Sequence, residues 1–461
     1  MIDITVRENI NIRDKQVTVI GLGISGIETA KLANHLGARV FASDSGFSKR
    51  ISAHAMELMN SHHIASETGL HSEKIFDADL WVISPGVPKN ADIVIKAQET
   101  NIPIVGEIEF ASWFTESPII AVTGSNGKTT TTYILGTMCQ SKNSHAVMAG
   151  NMGIPFSERV LNEIKTLDET RTYILEVSSF QMEFINHFSP TIALYTNLSI
   201  DHLDRHGSME EYLKMKLRMI QNMDQEDCVV YNGDDPELVS TVENQPFRMH
   251  PFSTTRSDTL YTLEGTSITN HSGKSLAGLD ELSIPGNHNL YNLLSAATCS
   301  HLLGIPDEHI SQVMKTFKGV EHRLEHVLTI NDVQYINDSK ATNINSVIVA
   351  IDTFKQPIIL ILGGRNKGAD FRLLLPHIKS SHVRDLISYG EAGGQIDAAL
   401  GDAVRSVQVT DLNSAVKKAQ VLAAPGDIVL LSPGCASFDE FSNFEVRGKF
   451  FKSAVMEIKA T

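Results

Sequence analysis

The stretch AVTGSNGKTTTTYIL, residues 121–135, places two glycines, a lysine and four successive threonines between apolar runs. Residues of these types in this order suit a polyphosphate. Gly124 and Gly127 let backbone N–H groups approach an anion, Lys128 adds a point charge, and the Thr129 hydroxyl can ligate magnesium. Val122 stands where the stricter pattern begins with glycine, so the match is to the last part of that pattern. The plainer reading is a glycine turn ahead of a helix. The strand-like PIIAVTG before it and the helix-forming YILGTM after it supply the context that a phosphate loop requires.

Glu176 in LEVSSF closes one apolar run, and His202 in NLSIDHLDRH follows another. A carboxylate and an imidazole beside a phosphate loop can hold magnesium and its waters, offsetting the charge of a triphosphate. Lys216 follows on a helix. Taken singly, these are a salt-bridge partner, a turn histidine and a solvated lysine; only together do they point to a metal–triphosphate site. Nearer the N-terminus, Gly21, Gly23 and Gly26 fit G-x-G-x-x-G, and Asp44 closes the next strand. That pattern is a dinucleotide fingerprint, equally a turn for the diphosphate of another nucleotide, or a tight turn with no ligand. Three further loops, NDSKATN (337–343), GGRNKGADF (363–371) and SPGCASFDEFSNFEVRG (432–448), each follow a predicted strand and carry hydrogen-bonding residues suited to a ligand or to helix caps.

The elements that must position these residues are legible from periodicity. Short β-branched runs alternate with helical stretches, the pattern of parallel sheets with crossover helices. Strands are predicted at VTVIG, RVFASD, LWVIS and IPIVG, then at the run before the phosphate loop, TYILEVSSF, TIALYTNLS and CVVYN, then at VQYINDS, PIILILGG, RDLISYG and DIVLLSPG. Ser208 with Glu211 three residues on forms a capping box that starts the helix carrying Lys216. A chain of 461 residues exceeds one core, and three domains are expected at 1–108, 109–320 and 321–461. With 42% hydrophobic and 20% charged residues the composition is that of a soluble globular protein. A net charge of −15 disfavours general nucleic-acid binding, so anionic substrates need local positive charge. The four cysteines form no CxxC pair, and neither a membrane span nor an export signal is read, so the cytoplasm is expected.

The chain resembles the Mur ligases over nearly its whole length. The likeness runs from GLGISG and SPGVP through GSNGKTT, GNMG, LEVSSFQME and DHLDRHGSMEEYLKMK to GNHNLYN, EHR, NDSKATN and the final SPGCASFDEFSNFEVRG. It implies an α/β protein with an N-terminal Rossmann-like domain for the UDP end of the substrate, a central P-loop-type ATPase domain with a mostly parallel sheet, and a C-terminal Rossmann-like domain for the amino acid. The implied activity is ATP-dependent addition of D-glutamate to UDP-N-acetylmuramoyl-L-alanine through an acyl phosphate, in peptidoglycan synthesis and hence in cell shape and division, by a monomer.

By the same resemblance Gly124, Ser125, Asn126, Gly127, Lys128, Thr129 and Thr130 hold the phosphates of ATP. Asn289, Asn292, Arg323 and Asp338 complete the nucleotide site. Two magnesium ions are implied, one on Thr129 and one on Glu176, His202 and Lys216, with Lys216 carrying a carbamate derived from CO2. Ile24, Ser25, Asp44, Ser45, Ser84, Gly86 and Asn151 face the UDP-substrate. Thr342, Lys367, Ser437, Phe438 and Phe444 receive glutamate. Gly46 stands where the family often has a base, with Lys49 and Arg50 close by, and Asn366 where it often has Asp.

Overall fold

The N-terminal apolar runs form a five-stranded parallel sheet in the computed structural model, which describes residues 2–140, 145–151, 153–166, 171–199, 207–243, 245–284, 286–380 and 382–460. Its strands are β1 (Gln16–Ile20), β2 (Arg39–Asp44), β3 (Ala65–Thr68), β4 (Leu80–Ile83) and β5 (Ile104–Gly106), in the order β3-β2-β1-β4-β5. The chain reverses direction across the sheet between β1 and β4, and ligands of open α/β sheets bind in the crevice beyond strand ends at such a point. The turn carrying Gly21, Gly23 and Gly26 leaves β1 there.

The central sheet is also parallel throughout. It contains β6 (Ile119–Thr123), β7 (His145–Gly150), β8 (Arg171–Glu176), β9 (Ile192–Tyr195), β10 (Cys228–Asn232) and β11 (Arg248–Phe252), in the order β11-β10-β9-β6-β8-β7. All five residues of β6 are buried, as a strand covered on both faces requires. Its switch point lies between β6 and β9. Register sets Val122 beside Glu176 on one flank and Thr123 beside Tyr195 on the other. A small antiparallel sheet follows, with β12 (Tyr261–Glu264), β13 (Ser267–Asn270) and β14 (Ser275–Gly278).

The last sheet is mixed. Its strands are β15 (Glu325–Ile330), β16 (Val333–Asn337), β17 (Ile358–Gly363), β18 (Val383–Tyr389), β19 (Arg405–Gln408) and β20 (Ile428–Gly434), in the order β15-β16-β20-β17-β18-β19. Only β15 runs antiparallel, as a hairpin partner of β16. Strands β16, β20 and β17 are therefore neighbours, and the three ligand-type loops named above leave the same edge.

Residues 1–282 with 288–317 form one compact unit, and residues 283–287 with 318–461 a second. In the first, a continuous apolar cluster runs from Val17 and Leu80 through Phe110 and Trp113 to Ala121, Phe156 and Tyr173. The N-terminal and central sheets thus share buried side chains. All four cysteines are free thiols, and burial pushes those of Cys139 and Cys435 up to about 12, as structural thiols.

Candidate active site

The phosphate-loop stretch folds as strand, turn and helix. β6 ends at Thr123, the turn spans 124–127, and a helix runs Lys128–Cys139. Gly124 (φ +142) and Gly127 (φ +82) adopt backbone that side chains rarely accept. Space is as restrictive as torsion, since a Cβ on Gly124 would lie 2.0 Å from Thr196 Oγ1 and one on Gly127 2.5 Å from Asn292 Oδ1. Asn292, expected on the nucleotide, thus abuts the loop, accepts from Thr131 Oγ1 (3.1 Å) and donates to Asn289 Oδ1 (3.2 Å). Thr129 and Thr130 are buried at the start of the helix, where backbone N–H groups lack partners from a preceding turn.

Two lysines meet at the root of this loop. Lys128 Nζ donates to the carbonyls of Gly124 (2.8 Å) and Ser125 (2.9 Å). Lys216 Nζ, on a side chain only 1% exposed, donates to the same Gly124 carbonyl (2.9 Å) and to Thr123 Oγ1 (3.3 Å), and lies over the Tyr212 ring. Lys216 reaches this depth because its helix, Met209–Leu217, begins at the predicted cap, where Ser208 Oγ accepts from Glu211 N, and because Tyr195 Oη donates to the Lys216 carbonyl (3.0 Å). Glu176, also buried, ends β8 one strand away and accepts from Asn151 Nδ2 (2.8 Å). Asn151, expected on the UDP-substrate, is therefore a partner of an expected metal ligand. His202 lies outside the described residues.

Sequence reasoning missed the side chain that shapes the loop. Asn197, just past β9, accepts from Asn126 N at Oδ1 (2.9 Å), donates to the Asn126 carbonyl (3.0 Å), and through its own carbonyl accepts from Ser125 N (2.9 Å). An amide at a strand end beside the switch point was the available signal. The donor set suits a magnesium triphosphate: hydroxyl and carboxylate oxygens for the ion, and the Lys128 ammonium with a helix N-terminus for the phosphates. Among the described residues no three His, Cys, Asp or Glu side chains gather into a metal cluster.

At the N-terminal sheet, Asp44 braces the glycine turn, Oδ2 accepting from Leu22 N (2.6 Å) and Oδ1 from Gly46 N (2.7 Å). Ser84 Oγ donates to the Gly21 carbonyl (3.0 Å). Asp44 and Ser84 thus bond to one turn, from which Ile24 and Ser25 begin a helix; Ser45 and Gly86, exposed, lie beside Asp44 and just past Ser84 in the chain. A Cβ on Gly46 would come within 2.8 Å of Ile51 Cδ1, the movable end of that side chain.

In the second unit the three loops are stitched together. Arg365 and Ala436 exchange backbone hydrogen bonds (2.8 and 3.0 Å), and Gly434 N donates to the Ala341 carbonyl (2.9 Å). Lys367 is exposed, Ser437 buried and Phe438 59% exposed, while Thr342 and Phe444 are half-buried. Asn366 shapes its own loop, accepting from Ala369 N and donating to Ala369 O and Gln395 Oε1. Asp338 is buried and held by Ser432 Oγ (2.8 Å) and Leu324 N (3.2 Å). Burial pushes its carboxyl up to about 7, against the opposing pull of Ser432 and the Arg323 charge. The sequence reading did not single out Arg447, fully buried, which donates to Ser339 Oγ and O and to Cys435 O and so ties the first loop to the third.

A phosphate loop at one switch point, a glycine turn at another and a third ligand-edge cluster define a multidomain nucleotide-dependent α/β enzyme. Residues 122–300 match the Mur ligase middle domain, 322–435 the Mur ligase glutamate ligase domain, and 15–106 the MurD-like N-terminal domain. The chain belongs to the Mur ligase family. It is 38% identical to the UDP-N-acetylmuramoylalanine–D-glutamate ligase of Chloroherpeton thalassium, over 97% of this chain and 99% of that one. It is 40% identical to the protein of that name in Christiangramia forsetii, over 96% and 100%. Among solved structures, MurF ligase of Thermotoga maritima in complex with ADP has the same fold (TM-score 0.59, 16% identity, 98% of this chain and 97% of that one). MurC of the same organism is similar (TM-score 0.58, 18% identity, 96% and 99%).

Proposed function

We propose that this chain joins D-glutamate to UDP-N-acetylmuramoyl-L-alanine with cleavage of ATP to ADP and phosphate, as a cytoplasmic step of peptidoglycan precursor synthesis. The observation that carries the reading is the convergence of Lys128 and Lys216 on the Gly124 carbonyl, which brings both side chains to the root of the glycine loop where a magnesium triphosphate would lie. The names of the full-length relatives support the substrates.

The reaction has to bring a carboxylate onto a phosphate, anion on anion, so neutralisation comes first. Lys128 and the 124–129 backbone hold the phosphates, and Asn289 and Asn292 flank the nucleotide. Thr129, Glu176, His202 and Lys216 are the residues that would hold magnesium, which supplies charge neutralisation when bound. Lys216 serves this role as a carbamate. Its neutral amine forms an N–C bond to CO2 and releases a proton, so that a cation becomes an oxygen ligand. The substrate carboxylate then attacks the γ-phosphorus, the bond to the ADP oxygen breaks, and the amine of glutamate attacks the acyl phosphate, losing a proton and expelling phosphate. Arg323 and Asp338 serve the nucleotide; Thr342, Lys367, Ser437, Phe438 and Phe444 hold the amino acid through charge-assisted donors and apolar contact. The glycine turn with Ile24, Ser25, Asp44, Ser45, Ser84 and Gly86 takes the UDP end.

Phosphate release, measured with ATP, UDP-N-acetylmuramoyl-L-alanine and a panel of amino acids, tests the reading. Release should require the UDP-substrate and be fastest with D-glutamate. Equal release with every amino acid, or none with any, contradicts it.

A further inference from the structure

Glu109 is a carboxylate with no exposed surface, on the short helix Glu107–Ser112 that follows β5. A charge buried so deeply is costly unless hydrogen bonds satisfy it. Four donors do so: Trp113 Nε1 (2.7 Å) and the backbone N–H groups of Asn186 (3.0 Å), His187 (2.7 Å) and Phe188 (2.8 Å). Three successive N–H groups therefore point at one side chain far away in sequence, which fixes the path of the 186–188 turn.

That turn is in turn gripped by the segment that follows the Lys216 helix. Arg218 donates to the carbonyls of Glu183 (2.6 Å) and Ile185 (2.5 Å), and Asn222 Nδ2 to those of Asn186 (2.8 Å) and Phe188 (3.2 Å). Ser189 Oγ closes the set on the Asn222 carbonyl (2.9 Å). The negative charge of Glu109 also offsets part of the burial cost of the Arg218 guanidinium. Arg218 lies two residues from Lys216, less than one helical turn. A contact chain therefore runs from Glu109 through the 183–188 segment and Arg218 to the end of the helix whose lysine reaches Gly124.

We infer that Glu109 is a positioning residue for the reaction, setting through the 186–188 turn and Arg218 the depth at which Lys216 meets the phosphate loop. The inference rests on the proposed role of Lys216. Glutamine at 109 keeps the volume but turns an NH2 group toward backbone donors, which leaves at least one buried N–H without an acceptor. The turn then shifts, and the lysine with it.

The test compares wild type, Glu109→Gln and Arg218→Lys, which keeps charge and loses the two-carbonyl fork. The measurements are thermal unfolding, kcat and KM for each substrate, and the carbamate resonance in 13C NMR with 13C-bicarbonate. Both variants should unfold cooperatively. Each should lose about 10- to 100-fold in kcat, the scale of an ångström-level misplacement, with KM little changed and a weakened resonance. Excess bicarbonate should restore part of the activity. A folded Glu109→Gln with wild-type kcat and resonance overturns the inference. So does a loss that only tracks the unfolded fraction. Should Glu109→Gln not fold, Arg218→Lys decides on the same measurements, and unchanged kcat and resonance overturn the inference. A wild type without the resonance refutes the carbamate instead, and the kcat–KM split then decides the role of Glu109.

Discussion

Lys128 and Lys216, far apart in sequence and on different helices, donate to one oxygen, the Gly124 carbonyl, at 2.8 and 2.9 Å. The first prediction follows from Lys128. Its replacement by alanine should lower kcat at least about 10²-fold, the scale of losing one charge-stabilising donor, and leave the melting temperature near that of wild type. Steady-state kinetics beside thermal unfolding checks this; near-wild-type turnover contradicts the phosphate-loop assignment.

Lys216→Arg separates charge from chemistry. Arginine keeps the positive charge but cannot form the carbamate, so the variant should be inactive and lack the 13C resonance. Substantial turnover by this variant removes the carbamate from the account.

Gly124→Ala tests the loop's fit. The φ of +142° and the 2.0 Å approach to Thr196 Oγ1 together predict a loss of about 1–3 kcal/mol in stability and a larger loss in ATP affinity. Denaturant unfolding and nucleotide titration read the two effects separately.

Much of the local structure around these residues was legible in the sequence because it rests on backbone geometry. The phosphate loop announces itself by glycines between an apolar strand and a helix, and Ser208 with Glu211 marks the helix that delivers Lys216. The strands predicted by apolar run all exist, and the loops after β16, β17 and β20 meet. Most runs that escaped are short or polar: β3 reads ASET, β11 reads RMHPF, β12, β13 and β14 are four residues each, and β15 and β19 place charged residues within edge strands; the edge strand β7, HAVMAG, escaped although it is largely apolar. Glu109 and Arg447 were illegible for another reason. A charged residue in a helical stretch reads as surface, and only tertiary structure reveals the backbone groups that satisfy it in the core.

Asp338 gives a pH signature. Its carboxyl is pushed up to about 7 by burial, from an ordinary value of 3.8, so the folded chain holds this proton more tightly than the unfolded chain. The stability it contributes is fully present below the unfolded value and is lost as pH rises through about 7. Asp338→Asn cannot ionise, and the difference in melting temperature between variant and wild type should move in the variant's favour from about pH 5 to about pH 8. A difference independent of pH contradicts the burial of an ionisable carboxyl there.

The central claim is that the substrate carboxylate is activated as an acyl phosphate before the amine attacks. In that sequence the carboxylate oxygen that bonds to the γ-phosphorus leaves with it. UDP-N-acetylmuramoyl-L-alanine labelled with 18O in its carboxylate, incubated with ATP, D-glutamate and the enzyme, therefore tests the claim directly by mass spectrometry of the released phosphate. The account predicts one 18O atom per phosphate for each amide bond formed. Unlabelled phosphate accompanying full product formation would contradict it.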